Sequence, residues 1–236
     1  MKFVLLTYNI NFNQALAKLP LLLDELKPDI VTLQELNTLD DSIAFVEKCG
    51  YTLADFSHSM SRRNSLFGIA TFYKKDTFTM NKSSTITLPF GAKEVIDFII
   101  RRTFQKRTVL RTEFTSVKGQ LLTIYNMQLS AYAGNGLRMR QLRKTLQTLG
   151  SLENPIIIVG DLNFPVGRKA FEEEFHKYGF KEATYKIFDT FRSNIRIFPF
   201  SLKLDYVLYK NMKQISTLKV PVRYSDHFPL LTSCEI

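Results

Sequence analysis

Apolar residues along this chain recur with two periods. Eight short runs are rich in β-branched and aromatic residues and read as strands: KFVLLTY (2–8), DIVTLQE (29–35), GIATFYK (68–74), RTVLRTEF (107–114), QLLTIYNMQL (120–129), PIIIVGDL (155–162), KLDYVLY (203–209) and FPLLTSC (228–234). Segments 13–27, 38–49, 136–150 and 167–178 space their apolar residues as helices do, and Pro20 is expected to kink the first. Residues 76–106 fit neither period and are expected to form a hairpin or an inserted loop. No repeat, low-complexity tract or linker interrupts the pattern, which predicts one domain over 1–236. Many short strands with a few helices predict two packed sheets with helices outside.

The polar residues that punctuate the strands are not scattered. Asn9 ends the first run, Gln34 and Glu35 the second, and Asn126 and Gln128 the fifth. Gly160, Asp161 and Asn163 close the sixth, Asp205 lies in KLDYVLY, and Asp226 and His227 precede the last. Any one of these is explained by a turn, since Ser and Asp favour turns and a single His there is incidental. Repetition at six strand ends is different. Ends of adjacent strands share one edge of a sheet, so these groups can converge on a pocket.

The chemistry of such a pocket follows from its groups. Glu35 with Asn9 and Asp226 offers hard oxygen ligands of the kind Mg²⁺ takes, since that ion keeps several waters and uses one or two carboxylates. Asp161 and Asn163 can hold and polarise a water. The His227 imidazole, beside Asp205 or Asp226, can be held charged against a phosphoryl oxygen. Metal, oriented water and cation together describe phosphoryl hydrolysis. No nucleophile elbow supports a Ser-His-Asp reading, and neither Cys49 nor Cys234 adjoins a candidate base. Of the other histidines, His176 reads as structural and His58 as part of a solvated loop.

Composition adds a partner. Hydrophobic content of 45% is ample for a core, and the net charge of +10 is uneven, −4 over residues 1–61 and +14 over 62–236. That asymmetry predicts nucleic acid or an anionic membrane surface as partner; no obligate protein partner is implied. Two cysteines make neither a disulfide framework nor a zinc pattern. The opening apolar stretch ends at Leu6, too short for a signal peptide, and no run reaches the ~18 apolar residues of a membrane span. A soluble, cytoplasmic protein is expected.

The same residues resemble the endonuclease/exonuclease/phosphatase superfamily of deoxyribonucleases and apurinic endonucleases. TYNI, LQEL, GDLN, LDYVLY and SDHFPL are similar to five of its motifs, in its order and over nearly the whole chain. The resemblance implies a four-layer α/β/β/α sandwich of two mixed β-sheets flanked by helices, and a metal-dependent phosphoesterase using Mg²⁺ or Mn²⁺. It implies Asn9, Glu35 and Asp226 at the metal, and Asp161 activating water with Asn163 at the phosphate. Asp205 orients His227, which meets the phosphate. One motif departs: the family's Asn-x-His-Leu reads NMQL, so Asn126 fits but Gln128 replaces a histidine. Asn126 and Gln128 are nevertheless expected in the catalytic set.

Three functions compete. Nucleic-acid phosphodiester hydrolysis, by endonuclease or exonuclease action, is supported by basic residues, notably Arg62, Arg63, Arg101 and Arg107 as substrate contacts, with Arg102, Lys106, Arg138, Arg140 and Arg143. Tyr132 and Phe164 are expected to stack on bases. The alternative is a phosphatase or phosphodiesterase on phospholipid or inositol phosphate headgroups, with FRSNIRIFPF (191–200) as a membrane-facing or substrate-shaping loop. A non-catalytic phosphate-binding relative rests on Gln128 alone.

Overall fold

A computed structural model describes residues 1–62, 65–91, 95, 106–131, 133–149, 153–195 and 198–236. One sheet contains, in spatial order, β13 (Gln214–Lys219), β14 (Leu230–Glu235), β1 (Lys2–Asn9), β2 (Ile30–Asn37), β4 (Ser65–Tyr73) and β3 (Thr52–Arg62). The other contains β5 (Phe78–Thr87), β6 (Thr108–Ser116), β7 (Leu121–Gln128), β8 (Ile156–Asp161), β12 (Asp205–Lys210) and β9 (Lys181–Glu182). A separate hairpin pairs β10 (Phe191–Ile195) with β11 (Phe198–Leu202). The helices among the described elements are α1 (Leu19–Leu26), α2 (Asp40–Glu47), α3 (Asn135–Gln147) and α4 (Arg168–His176).

Both sheets are mixed. β1 and β2 run parallel, as do β7 and β8, while the other pairs are antiparallel. A parallel pair needs a crossover, and α1 and α3 supply the two. Pro20 sits in the first turn of α1, where its missing N–H is harmless, after a short 3₁₀ turn at Leu16–Lys18; it starts the helix instead of kinking one.

Three apolar clusters make four layers. Leu19, Leu22 and Leu23 of α1 pack on Leu6, Tyr8, Val31 and Leu33. Between the sheets, Phe3, Leu5 and Ile30 meet Phe114, Ile124, Ile157 and Val159. On the far side, Tyr125, Met127, Ile156 and Ile158 pack under Leu142, Phe171 and Phe175 of α3 and α4. Successive residues such as Leu5 and Leu6 therefore enter different clusters, and strands buried on both faces read as unbroken apolar runs. The result is the four-layer sandwich. No helix among the described residues is long and apolar enough to cross a membrane.

Candidate active site

Local backbone irregularities aim the polar groups. β1 and β2 pair with Asn9 beside Gln34, and the β2–β4 register slips between Gln34 and Leu36, leaving Glu35 as the extra residue of a bulge at φ 57°. A bulge re-aims a side chain. Gln34 stays between the sheets, donating to Asn126 Oδ1 at 2.8 Å and Thr7 Oγ1 at 3.2 Å, whereas Glu35 lines an open cleft. In the second sheet, Gln128 pairs with Asp161 and Asp161 with Asp205, so three polar residues stand abreast on β7, β8 and β12. Gly160 lets β8 approach there: a Cβ at its φ of 133° would lie 2.1 Å from the Met127 carbonyl oxygen. His227 is brought in by an isolated bridge to Phe191, whose ring lies 5.0 Å from the imidazole.

One hydrogen-bond network joins the two sheets. Asn9 Nδ2 donates to Asp161 Oδ2 at 3.1 Å and to Glu35 Oε1 at 3.4 Å. Gln128 Nε2 donates to the same two carboxylates, at 2.6 Å to Glu35 and 3.4 Å to Asp161. Arg107 Nη1 donates to Gln128 Oε1 at 2.6 Å; a guanidinium cannot accept, so this contact dictates which way the amide faces. The Asn163 backbone N–H donates to Asp161 Oδ1 at 3.1 Å, and Asn163 takes the left-handed φ of 49° that Asn tolerates. Asp205 Oδ2 bonds His227 Nδ1 at 2.8 Å. Ser225 Oγ ties this corner to β1 through the Asn9 carbonyl at 2.9 Å.

Burial and charge set the protonation states. Burial raises Asp161 to about 7, repulsion from Asp205 and Glu35 adds to it, and attraction to His227 opposes it. For His227, burial is the largest influence and disfavours the charge. The Asp205 charge and hydrogen bond, with Asp161 and Asp226, outweigh it and raise the imidazole to about 10. At neutral pH the site therefore holds an imidazolium locked to Asp205, facing a carboxyl group that can take up a proton.

The cleft, about 360 Å³, is lined by Glu35, Asp161, Asn163, Asp226, His227 and Arg107, with Asn11 at the same edge. Its apolar lining includes Phe12, Met60, Phe191, Phe200, Leu202 and Leu204. The 191–200 segment, expected as a loop, is thus largely the β10–β11 hairpin, with Phe191 and Phe200 lining the cleft. Sequence reasoning missed Phe12, whose signal was an aromatic residue among the asparagines of NINFN, and Ser225 within the last motif. Arg62 stacks over Phe12 with its guanidinium carbon 4.4 Å from the ring centre.

Other expected groups lie elsewhere. Asn126 is fully buried between the sheets, and its amide donates to the Leu33 and Ala70 carbonyls at 3.2 and 2.9 Å; it ties strands together and does not line the cleft. Phe164 stacks on Phe171 in the core, so it is not a base platform. Arg138 holds the carbonyls of Ser130 and Ala131, Arg143 pairs with Glu174 at 2.9 Å, and neither lines the cleft. Arg63, Arg101, Arg102 and Tyr132 lie outside the described residues.

Which groups suit a divalent cation is a question of donor chemistry. Asp161, Asp205 and His227 place ligand atoms within 4.8 Å of one another, but His227 Nδ1 is already bonded to Asp205, and a cation there would have to break that bond. Glu35, Asp161 and Asp226 face the cleft with oxygen donors only, the set that suits Mg²⁺. Two amide groups already bridge Glu35 and Asp161, so positive partial charge occupies the space between these carboxylates. These residues fit a hard cation. The Asn9 carboxamide oxygen faces the Asn11 N–H at 3.0 Å, so Asn9 enters the cluster through its NH₂.

The model of the endonuclease/exonuclease/phosphatase family matches residues 6–227. The chain belongs to this family. Solved structures carry the same fold across it. An endonuclease/exonuclease/phosphatase from Bacteroides vulgatus is similar at 19% identity with a TM-score of 0.74, over 100% of this chain and 99% of that one. The human Nocturnin catalytic domain with bound sulfate anion gives 18% and 0.75, over 99% of this chain and 94% of that one. TDP2 from D. rerio, complexed with single strand DNA product, gives 15% and 0.72, over 100% and 99%. No curated protein sequence matches this one closely enough to count as a relative.

Proposed function

We propose that this family member is a divalent-cation-dependent phosphoesterase that hydrolyses phosphodiester bonds of nucleic acid. The observation that carries the reading is the meeting of Asp161, the Asp205–His227 pair and Glu35 at one cleft, from both sheets. Asp161, oriented by the Asn163 N–H, accepts the proton of the attacking water as its oxygen bonds to phosphorus. The bond to the leaving oxygen breaks, and that oxygen takes a proton from solvent water. His227, kept charged by Asp205, meets the charge on the phosphoryl oxygens. A bound Mg²⁺, held by Glu35 with Asp226, would supply Lewis-acid stabilisation of that charge. The first test is hydrolysis of single-stranded DNA, RNA, an abasic duplex and a phosphoinositide, each with Mg²⁺ or EDTA. Cation-dependent cleavage confined to the phosphoinositide would move the substrate to lipid headgroups.

The +14 balance of residues 62–236 suits nucleic acid and an anionic headgroup alike, and Arg62 at the cleft side supports a strand that continues past the cleft. The DNA product held by the TDP2 relative points the same way. DNA binding measured in Ca²⁺ should then weaken steeply with salt: neutralising about four phosphates gives a log–log slope of roughly −3 to −4. A flat response with tight binding to anionic vesicles contradicts this.

Gln128 takes a different part from the histidine it replaces. Its amide N–H groups face Glu35 and Asp161, and not a substrate oxygen, because Arg107 occupies its carbonyl. We therefore assign Gln128 and Arg107 to positioning the two carboxylates. Gln128→Ala is expected to lower kcat/KM by about 10- to 100-fold, the equivalent of a lost hydrogen bond to a charged group. Gln128→His should recover little while Arg107 is present, since an imidazole accepting from a guanidinium is held neutral. Full activity in Gln128→Ala would remove this assignment.

A further inference from the structure

Beside the catalytic cleft lies a second cavity of about 340 Å³, between β3 of one sheet and the β5–β6 edge of the other. Met60 lines both cavities, so the two adjoin across its side chain. Lys106 and Arg107 are consecutive, and one lines the second cavity while the other lines the cleft. Neighbouring cations thus serve neighbouring hollows.

The chemistry of the second cavity is that of an anion site. Its inner wall holds three buried hydroxyls: Ser57 Oγ donates to Thr108 Oγ1 at 3.0 Å, and Ser59 Oγ lies 3.1 Å from the same oxygen. Three hydroxyls carry three protons and the two contacts within the trio use two, which leaves one O–H not used within it. Ser61, Thr85 and Thr87 add hydroxyls, Lys106 an ammonium and His58 an imidazole, Met60 and Leu66 supply apolar surface, and among the described residues no acidic side chain lines it. Hydroxyl donors with one ammonium, an imidazole whose Nδ1 meets Thr38 Oγ1 at 2.6 Å, and no carboxylate among the described residues suit a phosphate diester, which accepts hydrogen bonds and carries one negative charge.

We propose that this cavity is a second phosphate subsite, which receives the phosphodiester next to the one being cut. The inference rests on the phosphoesterase reading and extends it: a substrate with successive phosphates fills both hollows, and a single phosphate ester fills one. The substrate class is then a nucleic-acid strand.

Two substrates separate the cases in the intact protein, a single-stranded oligonucleotide and bis(p-nitrophenyl) phosphate, both with Mg²⁺. In Lys106→Ala, the ratio of kcat/KM for the oligonucleotide to that for the small ester should fall about 10-fold or more, the scale of one hydrogen bond to a charged group. Ser59→Ala, which removes a hydroxyl without removing charge, should lower the same ratio by a smaller factor. A ratio unchanged within twofold in Lys106→Ala overturns the subsite. Binding of the oligonucleotide in Ca²⁺ is read in parallel by fluorescence anisotropy and needs no turnover. Weaker binding by Lys106→Ala supports the subsite even if neither substrate is cleaved, an outcome that would overturn only the catalytic reading. Unchanged oligonucleotide binding, with loss of binding to phosphatidylserine vesicles, would overturn the strand assignment in favour of a membrane surface.

Discussion

Asp161→Asn should lower kcat by roughly 10²- to 10⁴-fold, the range set by loss of a general base, while substrate binding persists. An amide in that place cannot take the proton of the attacking water; its single oxygen can still accept from the Asn163 N–H, while its NH₂ replaces the oxygen that accepts from Asn9. His227→Ala should cause a loss of similar order by removing the cation that faces the phosphoryl oxygens. The double variant should lose much less than the product of the two, because both act on one transition state and their charges are coupled in the ground state. Strictly multiplicative losses would separate them. The same variant has a signature that needs no substrate. Folding raises Asp161 from 3.8 to about 7, so the cation-free fold binds a proton that the unfolded chain has released. That contribution is present below the unfolded value and is lost as pH rises through about 7. The melting temperature of Asp161→Asn relative to wild type, both in EDTA, should therefore rise as pH increases from about 5 to about 8. A difference that stays constant over that interval would show that Asp161 does not titrate as its burial implies.

Glu35→Gln should abolish most cation-dependent activity with little change in the fold. Glu35 is only partly buried, and a glutamine there keeps an oxygen for the Gln128 amide. What goes is the negative charge that a hard cation requires. Lewis-acid stabilisation is worth several kcal/mol, so a loss on the order of 10²- to 10³-fold is expected at low Mg²⁺. The rise in melting temperature that Mg²⁺ or Mn²⁺ gives the wild type should shrink or vanish in the variant, which reads cation affinity without turnover. Wild-type Mg²⁺-dependent turnover in Glu35→Gln would remove Glu35 from the cation site. Loss of activity with the thermal response intact would place it at the substrate instead.

The eight strands legible in the sequence are the eight interior strands, β1, β2, β4 and β14 in one sheet and β6, β7, β8 and β12 in the other. Those not read are the four sheet edges, β3, β5, β9 and β13, and the β10–β11 hairpin. The reason is burial: interior strands pack on both faces and must be apolar, whereas an edge such as FTMNKSSTIT is largely exposed and its polar residues hide the period. The candidate site was legible for the same cause. A carboxylate or imidazole bordering a buried apolar strand contrasts with its surroundings, so Glu35, Asp161, Asp205 and His227 stood out from the sequence alone. Only the tertiary structure sorted that set. Gln34 and Asn126 end buried strands too, but their amides meet each other across the sheets, and nothing in their own segments distinguishes them from Gln128. Likewise, net charge located no cation: Arg138 and Arg143 are held by carbonyls and a carboxylate, while Arg107 reaches the cleft and turns the Gln128 amide. Composition and period depend on each residue and its near neighbours, which the sequence contains. The partner of a polar side chain depends on which distant strand lies opposite, and folding alone decides that.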